Sequence, residues 1–375
     1  MVDESKKPVL RLGRKVAVTG ATGFVGGRLV EVLVEQGVHV TCLVRRGAIG
    51  TRLQQTGANL QVIDLTDSQA VCAALGKIDI AFHCGYDRAD TGWNYRALSA
   101  LIAACSANAC RLVHVSSWVV YKLPDEGGVT EDTAESTCSH GYAATKRKLE
   151  HEILRATREE SLSAAIIQPT LVYGPFLGSF MKDLLDQLWY GTVILPDRGE
   201  GLCNLVYVDD VVSAMILAGL RSAALGQRFL VSGPEPVIWR EVYEEMARAI
   251  GANGPQYRPT EIIARENKKG RKLLRIAADP ERVIRRLARD KWCRKFVESS
   301  IAVLPQGIRK SAQDRLFGPS TRRRGQIHIP DLAQLRFLQS RMTINSDKAR
   351  RELGYAPRFD FAAGMVPTSA YLSSV

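Results

Sequence analysis

The stretch Lys15-Val-Ala-Val-Thr-Gly20-Ala-Thr-Gly23-Phe-Val-Gly26 joins a β-like run, Lys15 to Thr19, to an amphipathic helix expected over Phe24 to Gln36. Three glycines at this spacing between a strand and a helix have a physical reason. Glycine at the tight turn lets the backbone approach a pyrophosphate, whose charge then meets the free N–H groups and positive dipole end of the helix. The stretch therefore predicts a dinucleotide-binding turn at the edge of a sheet.

Working outward, further apolar runs read as strands: Val38–Val44, Leu60–Ile63, Ile78–His83, Arg111–Ser116 and Ala164–Gln168, with mostly helical stretches between them. Continuous apolar strands alternating with helices predict an α/β fold, a doubly wound parallel sheet covered on both faces. Ligands then bind beyond the carboxyl ends of the strands. The glycine turn follows one such end and Ser117 another. Tyr142 and Lys146, four apart, share a helical face. An ammonium beside a phenol, joined by an oxidised nicotinamide, would lower the tyrosine pKa from about 10. Tyr142 would exchange a proton with a substrate oxygen while hydride moves at the neighbouring carbon.

These pieces resemble the extended short-chain dehydrogenase/reductase family of nucleotide-sugar epimerases, dehydratases, ketoreductases and 3β-hydroxysteroid dehydrogenases. The resemblance rests on Thr19-Gly-Ala-Thr-Gly-Phe-Val-Gly26, Asp64-Leu65, Val115-Ser-Ser-Trp-Val-Val-Tyr121, Tyr142-Ala-Ala-Thr-Lys146, Gln168-Pro-Thr-Leu-Val-Tyr-Gly-Pro175 and Val208-Asp-Asp210. A shorter match, Ala349-Arg-Arg-Glu-Leu-Gly-Tyr355, returns near the end. The resemblance implies a catalytic set of Ser117, Tyr142 and Lys146, with Ser117 selected over Ser116 by its spacing to Tyr121. Lys146 would also hold the ribose hydroxyls. Asn94 is counted with the catalytic set: it falls in Asn94-Tyr-Arg-Ala-Leu98, where relatives carry Asn-Val-x-Gly-Thr, the asparagine retained and the Gly and Thr lost, and is read as distorting the helix or holding water, with an ordinary helix-surface amide as the alternative. Cofactor contacts are expected from Gly20, Thr22, Gly23, Phe24, Val25 and Gly26 in the turn. Others are expected from Asp64 (facing the adenine), Leu65, Cys84, Gln168, Thr170 and Val172, besides Tyr142 and Lys146.

Cofactor choice turns on Cys42-Leu-Val-Arg-Arg46, which ends the second strand without the acidic residue that binds a ribose 2′-hydroxyl. Arg45 and Arg46 suit a 2′-phosphate, so NADP(H) is favoured and NAD(H) is the alternative. The leading functional expectation is hydride transfer to or from a sugar carbonyl or alcohol, as in a nucleotide-sugar ketoreductase, epimerase or dehydratase. Against it, Leu202-Cys-Asn-Leu205 lacks the arginine with which nucleotide-sugar members often grip the diphosphate. The alternatives are a hydroxysteroid-dehydrogenase-like enzyme on an apolar alcohol, or a cofactor-binding protein without catalysis. Trp118, His140, Tyr173, Asn204 and Arg240 are the substrate-contact candidates.

The domain expectation is a dinucleotide-binding unit over 1–180, to which 204–233 returns, and a substrate or lid region over 181–203 and 234–375. Eight cysteines without a Cys-x-x-Cys pair read as reduced thiols in a cytoplasmic protein, and six histidines show no metal spacing. Net charge is +12 overall, and residues 261–324 alone carry nineteen Lys or Arg against seven Asp or Glu, also +12. All the excess therefore sits in one basic insertion. Within it, Arg282, Arg285, Arg286 and Arg289 oppose Val283, Ile284, Leu287, Ala288 and Trp292 at helical spacing. A lid, a peripheral contact with an anionic membrane, and an acidic partner remain open for this segment. Nucleic acid is not expected, a small-molecule substrate is, and a homodimer is left open.

Overall fold

The computed structural model describes residues 13–270 and 325–374; the arginine-rich helix expected at 279–304 lies outside the described residues. The first half alternates β1 (Lys15–Thr19), α1 (Phe24–Glu35), β2 (His39–Val44), α2 (Thr51–Gln54), β3 (Asn59–Val62), α3 (Ser68–Leu75), β4 (Ile80–His83), α4 (Thr91–Ala107) and β5 (Arg111–Val115). There follow β6 (Glu126–Val129), α5 (Gly141–Glu159), β7 (Ala164–Pro169) and β8 (Leu171–Tyr173). Next come α6 (Ser179–Tyr190), β9 (Gly191–Pro196), β10 (Leu202–Cys203), β11 (Leu205–Tyr207), α7 (Val208–Leu220) and β12 (Gln227–Val231). The remaining elements are β13 (Val237–Ile238), α8 (Trp239–Ala249), β14 (Gln256–Arg258), α9 (Thr260–Gly270), β15 (Gln326–His328), α10 (Leu332–Gln339), β16 (Arg341–Ile344) and α11 (Phe361–Leu372).

Seven parallel strands form the main sheet in the order β12-β7-β5-β4-β1-β2-β3. Side chains alternate across it: Val16 and Val18 pack towards α1 and α7, while Ala17 packs towards α3, α4 and α5. Both faces are covered, so the strands read as unbroken apolar runs rather than alternating ones. The chain order reverses between β1 and β4, which opens a crevice at their carboxyl ends.

Within residues 204–233 a short strand precedes the helix. Leu205–Tyr207 pairs in parallel with β8, and helix begins only at Val208. The β-branched Val206 sits fully buried in that ladder, where strand packing outweighs the helical pattern that follows. Beyond the main sheet, β9 is flanked by β14 and β15, and together with α6, α8 and α10 these surround a second apolar core. No helix among the described residues is long and apolar enough to cross a membrane.

Candidate active site

The glycine cradle has no room for a side chain at Gly20 or Gly26 and little at Gly23. Gly20 has φ +68°, and a Cβ there would lie 2.6 Å from the backbone of Cys84 and Gly85. A Cβ on Gly26 would overlap the Gly20 carbonyl. The turn closes through the Gly23 N–H donating to the Gly20 carbonyl at 2.9 Å, and α1 starts with Gly23 as an N-cap lacking any side-chain cap. The first N–H groups of α1 thus stay available to an anion. Gly20, Thr22, Gly23, Arg45, Leu65 and Cys84 line one cavity with Tyr86 and Trp93. That cradle, which a Cβ would fill, fits a dinucleotide.

The loop after β4 borders this crevice and is pinned by Asn94. The buried amide donates to the carbonyls of Asp87 (2.7 Å) and Asp90 (3.2 Å), and its oxygen accepts the Asp87 N–H at 2.8 Å. Asn94 therefore neither distorts a helix nor lies on a surface; it anchors a loop. Arg45 and Arg46 are both exposed at the end of β2. Arg45 pairs with Asp87 at 2.8 Å and lies over the Trp93 ring, whereas Arg46 has no ion pair among the described residues. Asp64, also exposed, accepts the N–H and hydroxyl of Thr66, which hold its carboxyl below the usual range.

Ser117, Tyr142 and Lys146 converge at the end of β5. Ser117 is buried as the chain leaves the sheet, with its hydroxyl close enough to Tyr142 to favour the phenolate. Tyr142 is 43 % exposed, yet loss of water around its hydroxyl pushes the pKa up to about 12, with Ser117 acting against the rise. Lys146 is buried, donates to the Val115 carbonyl at 2.7 Å, and is pushed down to about 8 by burial. Its Nζ lies 5.9 Å from the Tyr142 ring centre and 4.9 Å from that of Tyr86. In the chain alone the tyrosine pKa is raised rather than lowered, chiefly by loss of water, so the phenol is protonated there. The lowering expected from Lys146 together with an oxidised nicotinamide belongs to the site with cofactor bound.

Other candidates fall elsewhere. Gln168 was expected at the cofactor, but its side chain is fully buried between Glu150 and Tyr121. Thr170 is buried beside Ser232, and Val172 packs between the two large cores. Phe24 and Val25 pack against the second core, with Phe24 beneath Gly178. Tyr173 is a core residue whose hydroxyl donates to the Asp360 carbonyl, and Asn204 bonds the backbone of β16 at Met342 and Ile344. Neither has a side chain left for substrate. Arg240 packs on the Gly199 turn, and His140 is an exposed N-cap two residues before Tyr142. Trp118 is buried with its ring 6.2 Å from Phe337. His83 bonds Thr19, as a core histidine should, whereas both ring nitrogens of His114 lack a hydrogen-bond partner among the described residues.

Sequence reasoning missed a cavity of about 310 Å³ between α6, α8, β9, β15 and α10, whose walls include Phe180, Val193, Trp239, Tyr243, Ile327 and Phe337. Phe337 lies 5.3 Å from Trp239 and touches Trp118, so aromatic rings link the pocket to the residue after Ser117. A larger cavity, about 700 Å³, opens at the opposite ends of β1, β2 and β3, away from every catalytic candidate.

The chain matches the NAD dependent epimerase/dehydratase family over residues 16–231. It is 31% identical over 255 residues to a 2-alkyl-3-oxoalkanoate reductase of Stenotrophomonas maltophilia, covering 64% of this chain and 76% of that protein. It is 25% identical over 361 residues to a 4-hydroxy-2-methyl-3-oxo-4-farnesyl-3,4-dihydroquinoline-1-oxide ketoreductase of Stigmatella aurantiaca, covering 93% of each. The solved UDP-glucose 4-epimerase of Thermotoga maritima superposes with a TM-score of 0.65 at 15% identity, over 96% of this chain and 99% of that one, a likeness of fold. With its glycine cradle and its Ser117–Tyr142–Lys146 cluster, the chain belongs to the NAD dependent epimerase/dehydratase family.

Proposed function

We propose that this protein is an NADP(H)-dependent reductase that interconverts an apolar ketone and its secondary alcohol. The observation that carries the substrate class is the pocket beside Trp118. Aromatic and aliphatic side chains outnumber the polar ones (Asp183, Gln187, Gln326, His328 and Gln334) in its lining, which includes no lysine or arginine among the described residues. A volume of about 310 Å³ lies at the small end of the range for small-molecule sites. A nucleotide diphosphate carries charges that such walls would leave unpaired, at a cost of several kcal/mol per buried charge (roughly). The names of the two relatives support the reading, since each is a reductase of a ketone with alkyl or farnesyl substituents. Of the described residues, 181–203, 234–270 and 325–374 would form the substrate region, beside the dinucleotide unit over 13–180 and 204–233.

When bound, the nicotinamide supplies hydride to the carbonyl carbon. Tyr142, held protonated by its surroundings, donates its proton to the carbonyl oxygen, which suits the reductive direction. Ser117, beside the same phenol, orients that oxygen. The Lys146 ammonium stabilises the phenolate left behind. Arg45 and Arg46 would take the 2′-phosphate, with Arg45 exchanging Asp87 for it.

The test is NADPH oxidation with a panel of a long-chain 3-oxoacyl ester, a 3-ketosteroid and a UDP-4-keto sugar, repeated with Phe337→Gln. Turnover of the apolar ketones, reduced at least tenfold in kcat/KM by the polar substitution, is the expected result. Turnover confined to the nucleotide sugar would sink the reading.

A further inference from the structure

Beneath the catalytic cluster lies a carboxylate the chemistry above does not use. Glu150 is fully buried on α5, four residues after Lys146 and on the same helical face. Gln168 Nε2 donates to both its oxygens, at 2.9 and 3.0 Å, and Arg228 NH1 stands 3.5 Å away. The support is itself braced. Tyr121 donates to Gln168 Oε1 at 2.9 Å, and Arg228 reaches from β12 to Glu135 at 2.7 Å. Glu135 in turn meets His151 at 2.8 Å.

An ionised carboxylate at this depth is tolerated only with such partners. The Lys146 ammonium faces the same difficulty, with one hydrogen bond to the Val115 carbonyl. The groups around it are His83 and Cys84 from the end of β4, Tyr86 from the next loop, His114 from β5, and Tyr142 and Glu150 from its own helix. Burial holds His83 down near 3 and His114 well below its ordinary value, and pushes Cys84 up to about 12, so these three are neutral at working pH. Tyr142 is a neutral phenol, and burial raises Tyr86 too. Glu150 is the one carboxylate in the set; burial raises its own pKa, and Gln168 and Arg228 oppose that rise.

We propose that Glu150 is a positioning residue: its buried carboxylate, held by Gln168 and Arg228, keeps Lys146 an ammonium beneath the cofactor. The proposal rests on the cofactor-binding role given to Lys146 above and adds what sets the pH range of that role. Burial favours neutral Lys146 and the Glu150 charge opposes it. The ammonium is therefore present at low pH and lost as pH rises through the lysine pKa, near 8.

The experiment follows NADPH fluorescence on binding to the full chain from pH 6.5 to 9.5. The wild-type affinity is expected to fall with a midpoint near 8. Glu150→Gln should move that midpoint down by about one pH unit while leaving affinity at pH 6.5 unchanged, the size expected for one charge removed at helical i,i+4 distance in a partly screened interior. Glu150→Asp, which keeps the charge, should restore the wild-type midpoint. If the glutamine variant does not fold, Gln168→Leu removes the two N–H donors, lets Glu150 protonate more readily, and should shift the midpoint the same way. An unmoved midpoint in the folded variant, with affinity lowered equally at every pH, would show a merely structural role and overturn the proposal. Wild-type protein that binds neither NADPH nor NADH would overturn the cofactor reading together with it.

Discussion

Replacing Gly20 by alanine should damage stability and cofactor affinity together, and the structure sets the size. Two terms add. The residue has φ +68°, and holding an L-residue in the left-handed region costs about 1–2 kcal/mol. The new Cβ would also lie 2.6 Å from Cys84 C and Gly85 N. Carbon contacts normally settle near ~3.5–4.0 Å, and the obstructing atoms are backbone, so no rotamer change relieves the overlap. Overpacking of this kind costs about 1–3 kcal/mol. The sum, about 2–5 kcal/mol, should lower Tm by several degrees, since about 2–4 °C accompanies each kcal/mol even in smaller domains. Because the relief route is separation of the β1 and β4 loops, NADPH affinity should fall at least tenfold. The control is Gly57→Ala, with φ +76° and nothing within 4 Å of the added Cβ, which has the dihedral term alone. Differential scanning fluorimetry and NADPH fluorescence titration read both effects. If Gly20→Ala matched Gly57→Ala in Tm and bound NADPH like wild type, the close-approach argument would be refuted.

The double variant Arg45→Ala, Arg46→Ala should weaken NADPH tenfold or more and leave NADH nearly unchanged; parallel losses for both cofactors would mean the arginines do not meet the 2′-phosphate. Asn94→Ala removes three hydrogen bonds to the loop after β4 and leaves the Asp87 N–H and carbonyl unpaired. That should cost about 1–3 kcal/mol in denaturant unfolding and raise the dissociation constant of the cofactor. Wild-type values for both measurements would mean that the loop does not depend on Asn94.

The local parts of the site were legible because each obeys a short-range rule. The glycine turn is fixed by neighbours six residues apart, and Tyr142 and Lys146 by one turn of helix. The main-sheet strands were readable because burial on both faces makes them continuously apolar. What the sequence concealed depends on distant pairings. Gln168 lies near the end of β7, where the sequence placed it at the cofactor, yet its side chain is bonded to Tyr121 and Glu150. Whether Lys146 lowers the Tyr142 pKa depends on how much water each group loses, which spacing does not report. The apolar pocket is assembled from α6, α8, β15 and α10, elements separated by up to about 150 residues of chain. Trp118 could be placed beside Ser117 but not against Phe337. The net charge of 261–324 was plain, but most of that segment lies outside the described residues.

The most direct test of the central claim is Tyr142→Phe, with NADPH binding and ketone reduction measured on one preparation. The substitution removes the proton donor beside Ser117 and keeps the ring that packs edge-on against Tyr86 at 5.1 Å. NADPH affinity should stay within about twofold, while turnover of the best ketone falls by about 10²–10⁴, the usual contribution of general acid–base catalysis. Turnover within a few-fold of wild type, with cofactor bound normally, would contradict the mechanism.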